Sequence, residues 1–398
     1  MATTVFPGFG DTGRMTANMD HGNEAGSGRV QFLTEAKGDQ PDLFIKQSGQ
    51  IDQARFTLET PFRVASVSKL MVAELMRRLH AAGRLDADAD VSDVLGLSLH
   101  HPEFPIEPIT LRRLVSHHSG IIDPPVYWMA APGNIRSLFT DEMWEDGMSP
   151  GAGFRYSNLN YGIAATVIEE ATGERFDHLF TRWIAEPLGL DIGFNWSGVS
   201  AARRATAFPA VRGEPGAWEV QVDGPDTFLA SEPAILRDPG FNLDDYVPGT
   251  NGTLFSPQGG LRASLSDLIT IGKEIILKQP DLWVPRWRAS DTGGRGSESE
   301  LIEGRGSEAG HFIAFGEGVY IYPEGPRPEP GRAWVGHHGE AYGVYCGVWV
   351  VPDTGAVFAH ANLGSGPGGS PMTGFRPNQT EIASAAFDWA YEMAGDQL

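Results

Sequence analysis

With one cysteine, Cys346, in 398 residues, the chain has no means of forming an intrachain disulfide or a multi-cysteine zinc site. Lysine is almost as scarce, with only five: Lys37, Lys46, Lys69, Lys273 and Lys278. Basic side chains number 30 against 51 acidic ones, and the resulting formal charge of −21 argues against nucleic acid or an anionic membrane as a partner. No apolar run approaches the ~18 residues of a spanning helix. The first ten residues lack a basic start followed by an apolar stretch, so a cytoplasmic protein is expected, although a chain trimmed of its leader would read the same. Metal-binding spacings are missing too. The pairs His100-His101, His117-His118 and His337-His338 are adjacent, and neighbouring side chains diverge on a helix or strand. Asp86, Asp88 and Asp90 begin like a calcium loop, but Val91 stands at the turn glycine and Leu97 at the bidentate glutamate. Neither metal nor organic cofactor is expected.

Against this background Ser66 and Lys69 stand out. They open an apolar-periodic run in which Val72, Leu75, Met76 and Leu79 recur at helical spacing, so both polar side chains fall on one face of the first turn. None of the other four lysines has a serine three residues before it. A serine hydroxyl needs a base within hydrogen-bond reach, and a lysine serves once burial disfavours its ammonium form. Backbone N–H groups at the helix start face the place where an anionic intermediate would form. Ser-x-x-Lys therefore supplies a nucleophile and a base from one turn. Such a short pattern also recurs by chance, so the rest of the chain must supply partners.

Two further stretches are candidates. Tyr156-Ser-Asn158 begins a helix whose buried stripe is Leu159, Ile163, Val167 and Ala171, with Gly173 as its cap. There Tyr156 is placed to relay a proton, and Asn158 to bond both Lys69 and a substrate amide. In Gly336-His-His-Gly-Glu340, ahead of an apolar strand, Gly339 allows close backbone approach, and the Glu340 N–H can join that of Ser66 as an oxyanion hole. A rival, Gly147-Met-Ser149-Pro-Gly151, matches a nucleophile-elbow pattern but lacks the preceding strand and following helix that the motif needs.

The length suffices for two domains. Strands are expected at 29–36 and 42–47, 311–322, 332–336, 344–351 and 356–361, the last two as a hairpin around Pro352-Asp-Thr-Gly355. Between them lie helices, including 176–186, stopped by Pro187, and one near 265–276 capped by Ser264 or Ser266. Gly83 closes the nucleophile helix, 1–28 reads as a loose arm, 293–310 as a mobile loop and 379–394 as a closing helix. The irregular 191–249 is too long for a plain connector and reads as a cleft wall. Strands at both ends with helices between imply an α+β chain: a mixed domain from 1–84 and 255–398, and an inserted, mainly helical domain over 85–254.

The order Ser66-x-x-Lys69, Tyr156-x-Asn158, His337-His-Gly339 resembles the serine β-lactamase and penicillin-binding-protein superfamily, above all the branch of class C β-lactamases, D-amino-acid peptidases and amidases, and family VIII carboxylesterases. Leu114-Val-Ser-His-His-Ser-Gly120, Gly259-Gly-Leu261, Ser266-Asp-Leu268 and Val351-Pro-Asp-Thr-Gly355 extend the resemblance over roughly Phe62 to Asn362. It implies a mainly antiparallel sheet flanked by terminal helices, with the active site between sheet and inserted helical domain. It implies Ser66 as the acylated nucleophile, Lys69 as base, Tyr156 as second base, and the N–H groups of Ser66 and Glu340 as oxyanion hole. Asn158, His337, His338, Gly339 and Glu340 are the implied substrate contacts. Relatives with β-lactamase activity usually carry Lys-Thr-Gly where this chain has His337-His338-Gly339, and a histidine is mostly neutral at pH 7. The expected substrate is therefore a small ester, amide or short peptide, with β-lactamase or D,D-peptidase activity as the alternative. A non-catalytic binding or scaffold protein on the same fold is the rival from another class.

Overall fold

The computed structural model describes residues 57–288, other than 195, 208–210, 215–216 and 221–240, and residues 314–363, other than 324–332 and 342–343, with two further strands at 29–36 and 41–48. The expected arm 1–28, loop 293–310 and closing helix 379–394 lie outside the described residues.

Among the described residues, the first elements are strands β1 (Arg29–Ala36), β2 (Pro41–Ser48) and β3 (Phe62–Arg63). Helices α1 (Ser68–Ala81), α2 (Val91–Leu95), α3 (Leu111–Val115), α4 (Leu159–Thr172), α5 (Phe176–Phe180), α6 (Glu186–Leu188) and α7 (Ala201–Arg204) follow. A small hairpin, β4 (Val211–Glu214) and β5 (Ala217–Val220), precedes β6 (Arg262–Ala263) and helix α8 (Leu265–Ile271). The remaining strands among the described residues are β7 (Trp287–Arg288), β8 (Ala314–Phe315), β9 (Tyr320–Tyr322), β10 (Trp334–Ala341), β11 (Val344–Val351) and β12 (Ala356–Leu363).

Eight strands form one antiparallel sheet in the order β2-β1-β12-β11-β10-β9-β8-β7, so the first hairpin of the chain closes on its last described strand. Together with the helices, this gives the α+β class. The β11–β12 hairpin turns at Gly355, whose φ of 72° suits a residue without Cβ. One face of β11 and β12 packs on the helical turn after α8, where Gly272 leaves room: a Cβ there would lie 2.3 Å from Val357 Cγ1. The apolar stripe of α1 is fully buried, and so is its Glu74, which two arginines of the same helix, Arg77 and Arg78, neutralise.

Two expectations are corrected. The stretch 311–322 is not one strand, because Glu317-Gly318 turns the chain and β8 pairs antiparallel with β9. A Cβ on Gly318 would come within 2.8 Å of Ala73 on α1, so the turn sits where the nucleophile helix presses on the sheet. Helix 176–186 does not stop before Pro187 but widens into a π turn over Thr181–Ala185, runs through Pro187 and ends at Gly189, φ 65°.

Candidate active site

Ser66 lies in a single 3-10 turn, Ala65–Val67, leading straight into α1. The turn is tied to the strand β6 region. The Val64 N–H donates to Leu261 O (3.0 Å), while Ser68 Oγ donates to Ala65 O (2.6 Å) and accepts from the Leu261 N–H (2.9 Å). Ala65 holds φ at 47°, a left-handed conformation costly for a residue with a Cβ. The other two such non-glycine residues among those described, His117 (58°) and Ser256 (50°), also border this site. Backbone strain is thus concentrated around one hydroxyl.

Lys69 is wholly buried. Its Nζ lies 2.9 Å from Ser66 Oγ and donates to Asn158 Oδ1 (2.8 Å) and to the carbonyl of Gln258 (2.8 Å). These three partners are neutral, and burial disfavours a charged amine. Protonated, the amine can donate to all three; once deprotonated, it can give its two protons to the two carbonyl oxygens and keep its lone pair for the serine hydroxyl. The same nitrogen stands 4.8 Å from the centroid of the Tyr156 ring and 5.4 Å from that of Tyr161. The structure therefore brings Ser66, Lys69, Tyr156 and Asn158 together from two distant parts of the chain.

Tyr156 and Asn158 precede α4, and two residues hold them there. His117 stacks on the Tyr156 ring, centroids 4.3 Å apart, and its Nδ1 accepts from the Ser157 N–H (3.0 Å). Burial, then Lys69 and His337, hold the His117 imidazole well below the usual histidine range, so it is neutral. Asp123 accepts from Ser157 Oγ (2.9 Å), Asn158 Nδ2 (2.8 Å) and the Leu159 N–H (2.9 Å). Sequence reading singled out neither residue for this site. Both are about 35 to 40 positions from their partners, and although His117 belongs to the Leu114–Gly120 stretch, nothing local points from either residue to 156–158.

Strand β10 runs past the Ser66 turn. Pairing with β9 covers only Trp334–Gly336, and beyond it Gly339 rests on the turn itself: a Cβ there would lie 2.2 Å from Val64 O and 2.9 Å from Cys346 Sγ. Glu340 follows on this stretch. His337 is fully buried with its ring 4.8 Å from that of Tyr320 and 6.5 Å from that of Tyr156. Its Nδ1 donates to the His338 carbonyl, so Nε2 carries the lone pair, and burial followed by Lys69 pushes its pKa down to about 3. His338, also expected among the substrate contacts, has protein partners of its own. Alternation along the strand turns it to the opposite face, where its nitrogens meet the hydroxyls of Tyr345 (2.9 Å) and Tyr322 (3.3 Å).

Ser149 sits in a turn between glycines with left-handed φ, Gly147 and Gly151, with neither strand before it nor helix after it. Among the described residues, one exposed group could share an ion: His80, Asp86 and Asp88. Arg112 already engages both Asp88 oxygens, and His80 Nδ1 accepts from the Ala87 N–H. Asp90 caps α2 instead of completing a calcium loop. No described helix is long and apolar enough to cross a membrane.

The family described as Beta-lactamase matches residues 46–368. Esterase EstB of Burkholderia gladioli is 32% identical over 184 residues, covering 39% of this chain and 43% of EstB. The D-alanyl-D-alanine-carboxypeptidase/endopeptidase AmpH of Escherichia coli K12 is 28% identical over 148 residues, 35% of this chain and 38% of AmpH. The matched stretches thus span less than half of these curated relatives. Among solved structures, the D-amino acid amidase of Ochrobactrum anthropi SV3 superposes with a TM-score of 0.59 at 17% identity, over 93% of this chain and 95% of the amidase, a likeness of fold.

Proposed function

Because the chain belongs to the Beta-lactamase family, we propose that it is a serine hydrolase cleaving a carboxylic ester or a small amide or peptide through an acyl-enzyme on Ser66. The observation that carries this reading is the 2.9 Å approach of a wholly buried Lys69 amine to the Ser66 hydroxyl. The amine takes the hydroxyl proton as Oγ attacks the carbonyl carbon. The tetrahedral oxyanion is stabilised by the N–H groups of Ser66 and Glu340, each such donor being worth about 3–4 kcal/mol. Collapse expels the leaving group, which takes its proton from Lys69 by way of the Tyr156 phenol. Water, deprotonated by the same pair, then attacks the acyl carbonyl and frees Ser66. Asn158, His337 and Gly339 line the substrate's approach. The site falls between residues 85–254 and the sheet-bearing flanks 1–84 and 255–398, the domain division we propose.

The relatives' names cover ester, peptide and D-amino-acid amide chemistry, which supports the class of reaction and leaves the substrate open. Neutral His337 at the position where β-lactamases of this family carry a lysine weighs against tight capture of a β-lactam carboxylate. The test pairs a fluorophosphonate probe with p-nitrophenyl esters. Wild-type protein should be labelled at Ser66 and turn over ester, and Ser66→Ala should lose labelling and at least about a thousandfold in rate. Turnover surviving in Ser66→Ala would move the nucleophile elsewhere, while an ester adduct on Ser66 that never hydrolyses would favour a binding protein.

A further inference from the structure

We propose that Asp123 is a positioning residue of the hydrolytic site, orienting the Asn158 amide and through it setting the hydrogen bonds and charge state of Lys69. The inference rests on the serine hydrolase reading and adds a residue to its machinery. Its ground is the set of three donors converging on one half-buried carboxylate: Ser157 Oγ and the Leu159 N–H on Oδ1, and Asn158 Nδ2 on Oδ2. A carboxylate taking three donors only accepts, and a side-chain amide has one donating and one accepting end. Once Nδ2 faces Asp123, Oδ1 must face the other way, which is where it meets Lys69 Nζ at 2.8 Å. Without Asp123 the amide is free to turn over and present N–H to the amine. It would then take up the lone pair that the mechanism reserves for Ser66.

The carboxylate also caps α4, whose assigned N-cap, Asn158, makes no side-chain bond to the helix backbone. This couples the helix start to the amide it carries, and the segment holding Asp123 extends on to Met129, whose backbone meets Asn251 and Thr253. Among the titratable groups facing Lys69, burial holds His117 and His337 neutral and pushes Tyr161 further from ionisation, while the Tyr156 ring lies 4.8 Å from the amine. Asp123 is a carboxylate linked to Lys69 by a single intervening side chain, Asn158.

The test measures kcat and KM for a p-nitrophenyl ester between pH 5 and 10 in wild type, Asp123→Asn, Asp123→Ala, Asn158→Ala and the double variant Asp123→Ala/Asn158→Ala. We expect Asp123→Ala to lower kcat by about tenfold to a hundredfold with KM within about twofold, the cost of misplacing a reacting group by a fraction of an ångström. In the Asn158→Ala background the same change should cost less than about twofold. Asp123→Asn keeps the side chain's shape and removes its charge, so Lys69 should lose its proton more readily and the acid limb of the kcat profile should move to lower pH. Equal losses in both backgrounds, or an unmoved acid limb in a folded Asp123→Asn protein, would overturn the proposal. A wild type that is neither labelled at Ser66 nor active fails the parent reading instead.

Discussion

Gly339 shows how much a single atom decides. A methyl group there would lie 2.2 Å from the Val64 carbonyl, and backbone, unlike a flexible side-chain tip, cannot step aside cheaply. Gly339→Ala should therefore push β10 off the Ser66 turn, slowing fluorophosphonate labelling by about tenfold or more. Trimming Cys346 should not restore it, because the nearer obstacle is the carbonyl. Ser66 and Lys69 were legible in the sequence since their partnership is local, three residues along one turn. Asp123 and His117 were not, since each acts across a gap in sequence that only folding closes. His338 shares a motif and the Tyr320 ring with His337, yet strand alternation gives their ring nitrogens different partners.

At the level of elements, the helix ends marked by glycine were legible, whereas the stop placed at Pro187 was not. Gly83 and Gly173 do sit beyond α1 and α4 with left-handed φ of 66° and 71°. Of the two serines proposed to cap α8, Ser264 does so, and Asp267 completes the capping box by accepting from the Ser264 N–H at 2.7 Å. Arg203 binds both side chains, donating to Ser264 Oγ at 2.7 Å and pairing with Asp267. Ser264→Ala should cost about 1 kcal/mol in chemical denaturation. Asp267→Ala should cost more, by leaving a largely buried guanidinium unpaired. The π turn inside 176–186 has no distinctive residue pattern, whereas the break in 311–322 was signalled by Gly316-Glu317-Gly318 and was passed over. Their cause is packing: the second lies where Gly318 meets α1.

For the molecule as a whole, Glu169 links three segments. It accepts from the Phe176 N–H at the start of α5 (2.8 Å), from the Gly249 N–H (3.1 Å) and from the Tyr246 hydroxyl. Burial pushes its pKa up to about 8, against the pull of these donors, while Asp177 nearby adds to the rise. An unfolded glutamate titrates near ~4.3, so between that value and about 8 the folded state holds the extra proton and stability falls as pH rises. Urea unfolding of the wild type should weaken by up to about 1.4 kcal/mol per pH unit across this window from Glu169 alone. Glu169→Gln, permanently neutral, should flatten that part of the curve.

The sequence by itself singled out Ser66 and Lys69 as the candidate nucleophile and base, and it determined the alternation of strands and helices that makes an α+β chain, and the family. These follow from short-range spacing, which is written in order along the polymer. Only the tertiary structure decided that β1 closes on β12, that β10 slides past the Ser66 turn on a glycine, and that Asp123 and His117 reach Tyr156-Ser157-Asn158. Those contacts join residues far apart in sequence, and burial, steric fit and hydrogen-bond direction select them only once the chain has closed upon itself.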